Sequence, residues 1–214
     1  MKRLRWLVLG LSFAPLLALA APQFEQGVNY TVIDPPQPTQ DPAKIEVLEF
    51  FWYGCPHCYD FDPYVEKWLA HKPDDVNFIR VPATFRPIWE LHARAYYTAQ
   101  VLGVLDKIHV PLFDAIHRDH RPMNTSAELA EFFKEKAGID PATFRRTFNS
   151  FAVVSKTGEA TATVQRYGIT GVPTVVVDGR YMTSASQVKS YAELQQLIEF
   201  LVDKVRKERA AAGK

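Results

Sequence analysis

Ile45-Glu46-Val47-Leu48-Glu49-Phe50-Phe51, then Trp52-Tyr53-Gly54, then Cys55-Pro56-His57-Cys58, is the stretch on which the reading of this chain turns. The seven-residue, largely apolar and β-prone run from Ile45 to Phe51 reads as a buried strand. Pro56 suits the first position of a helix, where its missing N–H has no partner to lose. Cys55 therefore closes a strand-to-helix turn, at the end of a helix where free N–H groups and the dipole favour a thiolate. Cys58 lies one turn further in, on the same face and more buried. His57 can add charge or a donor near the Cys55 sulfur. The spacing predicts an exposed, attacked Cys55 and a resolving Cys58.

These are the chain's 2 cysteines. A bridge between i and i+3 closes so small a loop that it stabilises little, so the pair suits electron exchange better than stapling. A metal site is the competing reading, but a closed zinc site needs four ligands. His92, His109, His117 and His120 offer no second close pair, and no metal is expected.

Outward from this turn, the order is mixed. Pro56 to about Leu69 reads as a helix kinked at Pro63, and Asn77 to Val81 as a second strand. Helices follow at Ile88 to Leu102, Pro111 to His117, Thr125 (capping box with Glu128) to Gly138, Asp140-Pro141 onward, and Phe151 to Tyr167. Thr174 to Val177 and Arg180 to Thr183 flank Asp178-Gly179, a hairpin signal. Ser190 caps a last helix reaching toward Arg206. Asp34-Pro35-Pro36-Gln37-Pro38 reads as an extended surface connection. The pattern is α/β: a small sheet with helices, interrupted by a helical block.

The first residues supply a compartment. Lys2, Arg3 and Arg5 precede an apolar run from Trp6 to Leu19, and Ala18-Leu19-Ala20 ends it, which is the make-up of a secretory signal peptide over residues 1–20. The run is about 14 residues, too short to span a membrane, and Pro15 interrupts it. Without those three cations, the 25 basic residues no longer outnumber the 24 acidic ones. Such a balance argues against nucleic acid as a partner. Export also places the thiols where disulfides form and persist.

Val47-Leu48-Glu49-Phe50-Phe51, Cys55-Pro56-His57-Cys58-Tyr59, Val110-Pro111-Leu112-Phe113 and Gly171-Val172-Pro173 together resemble the DsbA family of periplasmic thiol:disulfide oxidoreductases. The resemblance covers essentially the whole chain after the signal peptide. It implies a thioredoxin-like fold (residues 21–86 and 151–214) with an inserted all-helical domain over about 87–150. It also implies a cis peptide bond between Val172 and Pro173, with backbone beside them binding an extended substrate segment. Glu49 takes the family's buried acid position, with a raised pKa and a part in proton transfer near Cys58. A depressed thiol pKa and an oxidising disulfide are known in that family, so the direction expected for Cys55 is shared with the resemblance rather than derived apart from it.

The implied activity is donation of the Cys55–Cys58 disulfide to reduced, newly exported proteins in the periplasm, through a mixed disulfide on Cys55. The implied regenerating partner is a DsbB-type quinone-linked membrane oxidase. The enzyme would be a monomer with no cofactor beyond its own disulfide. A disulfide isomerase or reductase, and a thioredoxin-fold chaperone or binding module, are the alternatives.

Overall fold

In a computed structural model the chain is described over residues 24–213; the expected signal peptide, residues 1–20, lies outside the described residues. The elements, in chain order, are β1 (Thr31–Val32), β2 (Ile45–Phe51), α1 (Pro56–Leu69), β3 (Val76–Pro82), α2 (Pro87–Val101), α3 (Leu105–His117), α4 (Ser126–Ala137), α5 (Pro141–Phe148), α6 (Phe151–Arg166), β4 (Thr174–Val177), β5 (Tyr181–Ser184) and α7 (Tyr191–Ala211). One mixed sheet runs β1-β5-β4-β2-β3, with β2 parallel to β3 and antiparallel to β4. This is a thioredoxin-like α/β fold with a helical segment between β3 and β4.

All seven residues of β2 are buried. Side chains alternate across a strand, so Leu48 and Phe50 join the core formed with the α2–α6 helices, whereas Ile45 and Val47 join the core under α1 and α7. Glu49 falls in phase with Ile45 and Val47. Period two alone therefore directs this carboxylate toward the α1 side of the sheet.

Local chemistry explains most element ends. The Thr125 hydroxyl accepts from the Glu128 N–H while the Glu128 carboxylate accepts from the Thr125 N–H, and Gly138 ends α4 in the left-handed conformation. Asp178 (φ 55°) and Gly179 (φ 63°) are both left-handed, and the Arg180 N–H donates to the Val177 carbonyl at 3.0 Å, closing a type I′ hairpin turn. A Cβ on Gly179 would lie 2.1 Å from the Gln37 carbonyl oxygen, so this glycine also permits a close backbone approach.

Two expectations shift. α3 begins at Leu105, not at Pro111, which lies inside it. Burying Ile108, Leu112 and Phe113 offsets the one helical bond that a proline forfeits, since each large apolar side chain contributes about 1.5–3 kcal/mol. α7 continues five residues past Arg206: Val205 is buried and the Arg209 guanidinium donates to the Pro42 and Lys44 carbonyls. α1 runs through Pro63 as one helix. β1, only two residues long, was below what strand periodicity can register; it pairs with β5.

Candidate active site

Cys55 is the N-cap of α1 (φ −90°, ψ 117°) and Pro56 occupies the first helical position. The next free N–H groups, of His57 and Cys58, face the Cys55 sulfur. Together with the Cys58 thiol they hold Cys55 down to about 6: the hydrogen bond from Cys58 is the largest cause, burial opposes it, the two backbone N–H groups follow, and the charge of His57 contributes least. Both contributions expected of the helix start and of His57 are present, the imidazole charge being the smallest. Burial first, and then the Cys55 sulfur, push Cys58 well above the ordinary thiol value.

The expectation of an exposed Cys55 is also corrected. Cys55 is 7% exposed and Cys58 fully buried, both as free thiols. The two sulfurs differ in access, but neither stands out from the surface, because the 171–174 loop closes over Cys55. There the Val172–Pro173 peptide is cis, and the Val172 carbonyl accepts from the Cys55 thiol at 3.5 Å. The Thr174 hydroxyl donates to the Gly171 carbonyl at 2.8 Å, bracing the loop. A cavity of about 580 Å³ opens beside it, lined among others by His57, Val172, Pro173, Lys189 and Tyr191.

Glu49 lies beneath, 2% exposed, and burial raises it to about 7 against the opposing pull of Arg80. Sequence reasoning missed Arg80, although it is the one charged residue of β3. The parallel register sets Arg80 opposite Glu49. Its guanidinium donates to Glu49 Oε2 (3.1 Å), Asp62 Oδ1 (3.0 Å) and Glu66 Oε1 (2.7 Å). Asp62 and Glu66 follow Cys58 at successive i+4 steps along α1, so one face of that helix carries the thiol and both acids. Asp62 further accepts from His109 Nε2 at 3.1 Å, and His109 Nδ1 accepts from the Tyr53 hydroxyl at 2.8 Å.

Asp62, Glu66 and His109 bring potential metal-ligand atoms within 4.8 Å of one another. Arg80 already bonds both carboxylates, so the cation of this cluster is its guanidinium.

Trp52 stacks on Trp89 with centroids 4.2 Å apart and planes 8° from parallel. Its ring lies so close to the chain that a Cβ on Gly54 would fall 2.3 Å from it. Gly54→Ala is therefore expected to dislodge the Trp52 ring, costing about 1–3 kcal/mol and changing tryptophan fluorescence. Unchanged fluorescence and denaturation midpoint would mean the ring is free to yield.

Tyr191, on α7, was also missed: its hydroxyl lies 3.0 Å from His57 Nδ1. Nothing in the sequence linked residues so far apart.

The DSBA-like thioredoxin domain family model matches residues 46–199. The thiol:disulfide interchange protein DsbA of Pseudomonas aeruginosa is 39% identical over 206 residues, spanning 95% of this chain and 96% of that protein. The DsbA of Burkholderia cepacia is 38% identical over 207 residues, 96% of this chain and 97% of its own. Among solved structures, the Pseudomonas aeruginosa DsbA crystal structure superposes with a TM-score of 0.82 at 40% identity, covering 89% of this chain and 97% of that one. The oxidoreductase DsbA from Xylella fastidiosa gives 0.79 at 35% identity, covering 88% and 100%.

Proposed function

Because the chain belongs to the DsbA family and is a thiol:disulfide oxidoreductase, we propose that it works as a disulfide donor to exported proteins in the periplasm. The unequal placement of the two thiols carries this reading. Cys55 sits on helix-start N–H groups beside the cis-proline loop, and Cys58 is sealed beneath it.

In the proposed cycle a substrate thiolate attacks Cys55 Sγ of the disulfide. The Cys55–Cys58 bond breaks, and Cys58 leaves with the electron pair and takes up a proton. Glu49, raised to about 7, is still partly protonated at neutral pH and is the proposed source of that proton. A second substrate thiolate then attacks the substrate sulfur of the mixed disulfide, and Cys55 departs as a thiolate. The substrate loses two electrons and the cysteine pair gains them. The cis-proline loop would align the substrate as an extended segment on its backbone groups.

A departing thiolate held near 6 is a good leaving group, and stabilising it also stabilises the reduced enzyme. The sign follows from linkage. Between about 6, its value in the fold, and the ordinary thiol value of 9.0, reduced folded protein binds fewer protons than unfolded protein. The resulting stability is fully present above that window and is lost as pH falls through 6. The oxidised form has no such thiol, so the bias that Cys55 gives toward reduction of the enzyme, and oxidation of its client, grows as pH rises from about 6 toward 9.0.

No cofactor beyond the cysteine pair is needed for this exchange. A DsbB-type quinone-linked membrane oxidase is the proposed acceptor of the electrons, and the enzyme is proposed to act as a monomer. Among the described residues no helix is long and apolar enough to cross a membrane, in keeping with a partner that brings the membrane with it. Equilibration of the Cys55/Cys58 pair against glutathione buffers tests the reading. A donor is expected to remain largely reduced in buffers that are themselves mostly oxidised; a pair that stays oxidised until the buffer is strongly reducing would overturn it.

A further inference from the structure

His57 is exposed on the first turn of α1, where a free imidazole samples several rotamers. Here its Nδ1 lies 3.0 Å from the hydroxyl of Tyr191, contributed by the far end of the chain. Tyr191 is itself well fixed. It is the first residue of α7, directly after the Ser190 cap, which accepts from the Glu193 N–H at 3.1 Å; the Lys189 N–H in turn donates to the Glu193 carboxylate at 2.6 Å. Leu194 and Leu197, fully buried, anchor the same turns. The Tyr191 ring lies against Phe61 and Tyr64 of α1, with centroids 6.0 and 6.2 Å away.

We propose that Tyr191 is a positioning residue for the thiol reaction: its hydroxyl holds the His57 ring beside the Cys55 sulfur and thereby stabilises the Cys55 thiolate.

A phenol suits this task because it can either donate or accept. It donates to Nδ1 of a neutral imidazole and accepts from the N–H of an imidazolium, so the ring stays in one orientation in both states. Burial, and then the negative charges of Asp60, Cys55 and Cys58, push the Tyr191 phenol up. It therefore keeps its proton as the thiolate forms and adds no anion of its own. The charge of His57 lowers Cys55, and a charge–charge effect at short range depends on where the ring sits. Fixing the ring fixes that contribution. Because α1 and α7 pack on the same face of the sheet, the distance between the two partners is set by the core beneath them rather than by either surface.

The inference rests on Cys55 being the attacked and departing sulfur. The test uses the reduced full chain without substrate, so its result is independent of which way disulfides flow. Tyr191→Phe keeps the ring packing and removes only the hydroxyl. Its thiolate titration, followed by ultraviolet absorbance, is expected to move to higher pH, and its equilibrium constant with glutathione to become less oxidising by about two- to tenfold, the range one net hydrogen bond spans. His57→Ser should shift both readouts in the same direction. The double variant should go no further than His57→Ser alone, as coupled residues do. The proposal is overturned if Tyr191→Phe leaves both readouts unchanged. It is equally overturned if the Tyr191→Phe effect persists undiminished in the His57→Ser background, because a merely structural loosening would not depend on the imidazole.

Discussion

Cys55→Ser is expected to reduce disulfide transfer to a reduced model substrate to the rate of oxidation by the buffer alone. A serine oxygen cannot form the mixed disulfide, and Cys58 cannot substitute for it. Cys58 is fully buried, and burial pushes its thiol up, so it offers neither access nor a stable anion to a client. The converse variant sharpens the result. Cys58→Ala leaves Cys55 at the helix start with its backbone donors but removes the resolving thiol and the strongest hydrogen bond to the sulfur. Its Cys55 thiolate can attack the disulfide of an oxidised client and release one client thiolate, and with no resolving thiol the mixed disulfide should accumulate, visible as client adducts on non-reducing gels. Its Cys55 should also titrate at a higher pH than in the parent. Wild-type transfer rates in Cys55→Ser would remove this residue from the centre of the reaction.

Arg80→Met is expected to cost about 3–5 kcal/mol of stability above neutral pH. Removing one partner of a buried ion pair leaves an uncompensated charge, and Arg80 serves Glu49 and Asp62, both nearly inaccessible, as well as the more exposed Glu66. The loss should depend on pH with a definite sign. Glu49 is already raised to about 7 with Arg80 present, and without that cation it rises further. A folded carboxyl that holds its proton more tightly than the unfolded one makes stability fall as pH rises through the window between the two values. The penalty should be largest near pH 8 and shrink toward pH 5, as measured by denaturant midpoints. Arg80→Lys, which keeps the charge without the fork that reaches several carboxylates, should fall between. A loss below about 1 kcal/mol, or one that ignores pH, would mean the carboxylates find other partners.

These two residues stand at opposite ends of what could be read in advance. The strand-turn-helix around Cys55 was legible because its signals are local: an apolar run, a proline at the first helical position, and two thiols one turn apart. The capping box at Thr125 and the turn at Asp178-Gly179 were legible for the same reason. Pro111 misled because a proline's local preference for a helix start was outweighed by burial of Ile108, Leu112 and Phe113. Arg80 was invisible as a partner because its significance lies in the parallel register that sets it opposite Glu49. His57 was identified as a source of charge or of a donor near the sulfur, and both its backbone N–H and its charge lower Cys55, the charge contributing least. Its charge acts through an exposed position, while the Cys58 thiol and the helix-start N–H groups touch the sulfur directly.

The sequence by itself determined the family, through motifs spread from Val47 to Pro173, together with the α/β fold, the pairing of its two cysteines in one helical turn and which of them sits at the helix start. The turn around the cysteines follows from chemistry carried within a few residues, where backbone geometry leaves little freedom. Only the tertiary structure decided how the sulfurs are surrounded: Val172 over Cys55, Arg80 among its carboxylates, Tyr191 on His57. The physical reason is that each of these contacts joins segments far apart in the chain. Their distances are set by how the sheet registers and how α1 and α7 pack upon it, and no local preference encodes that.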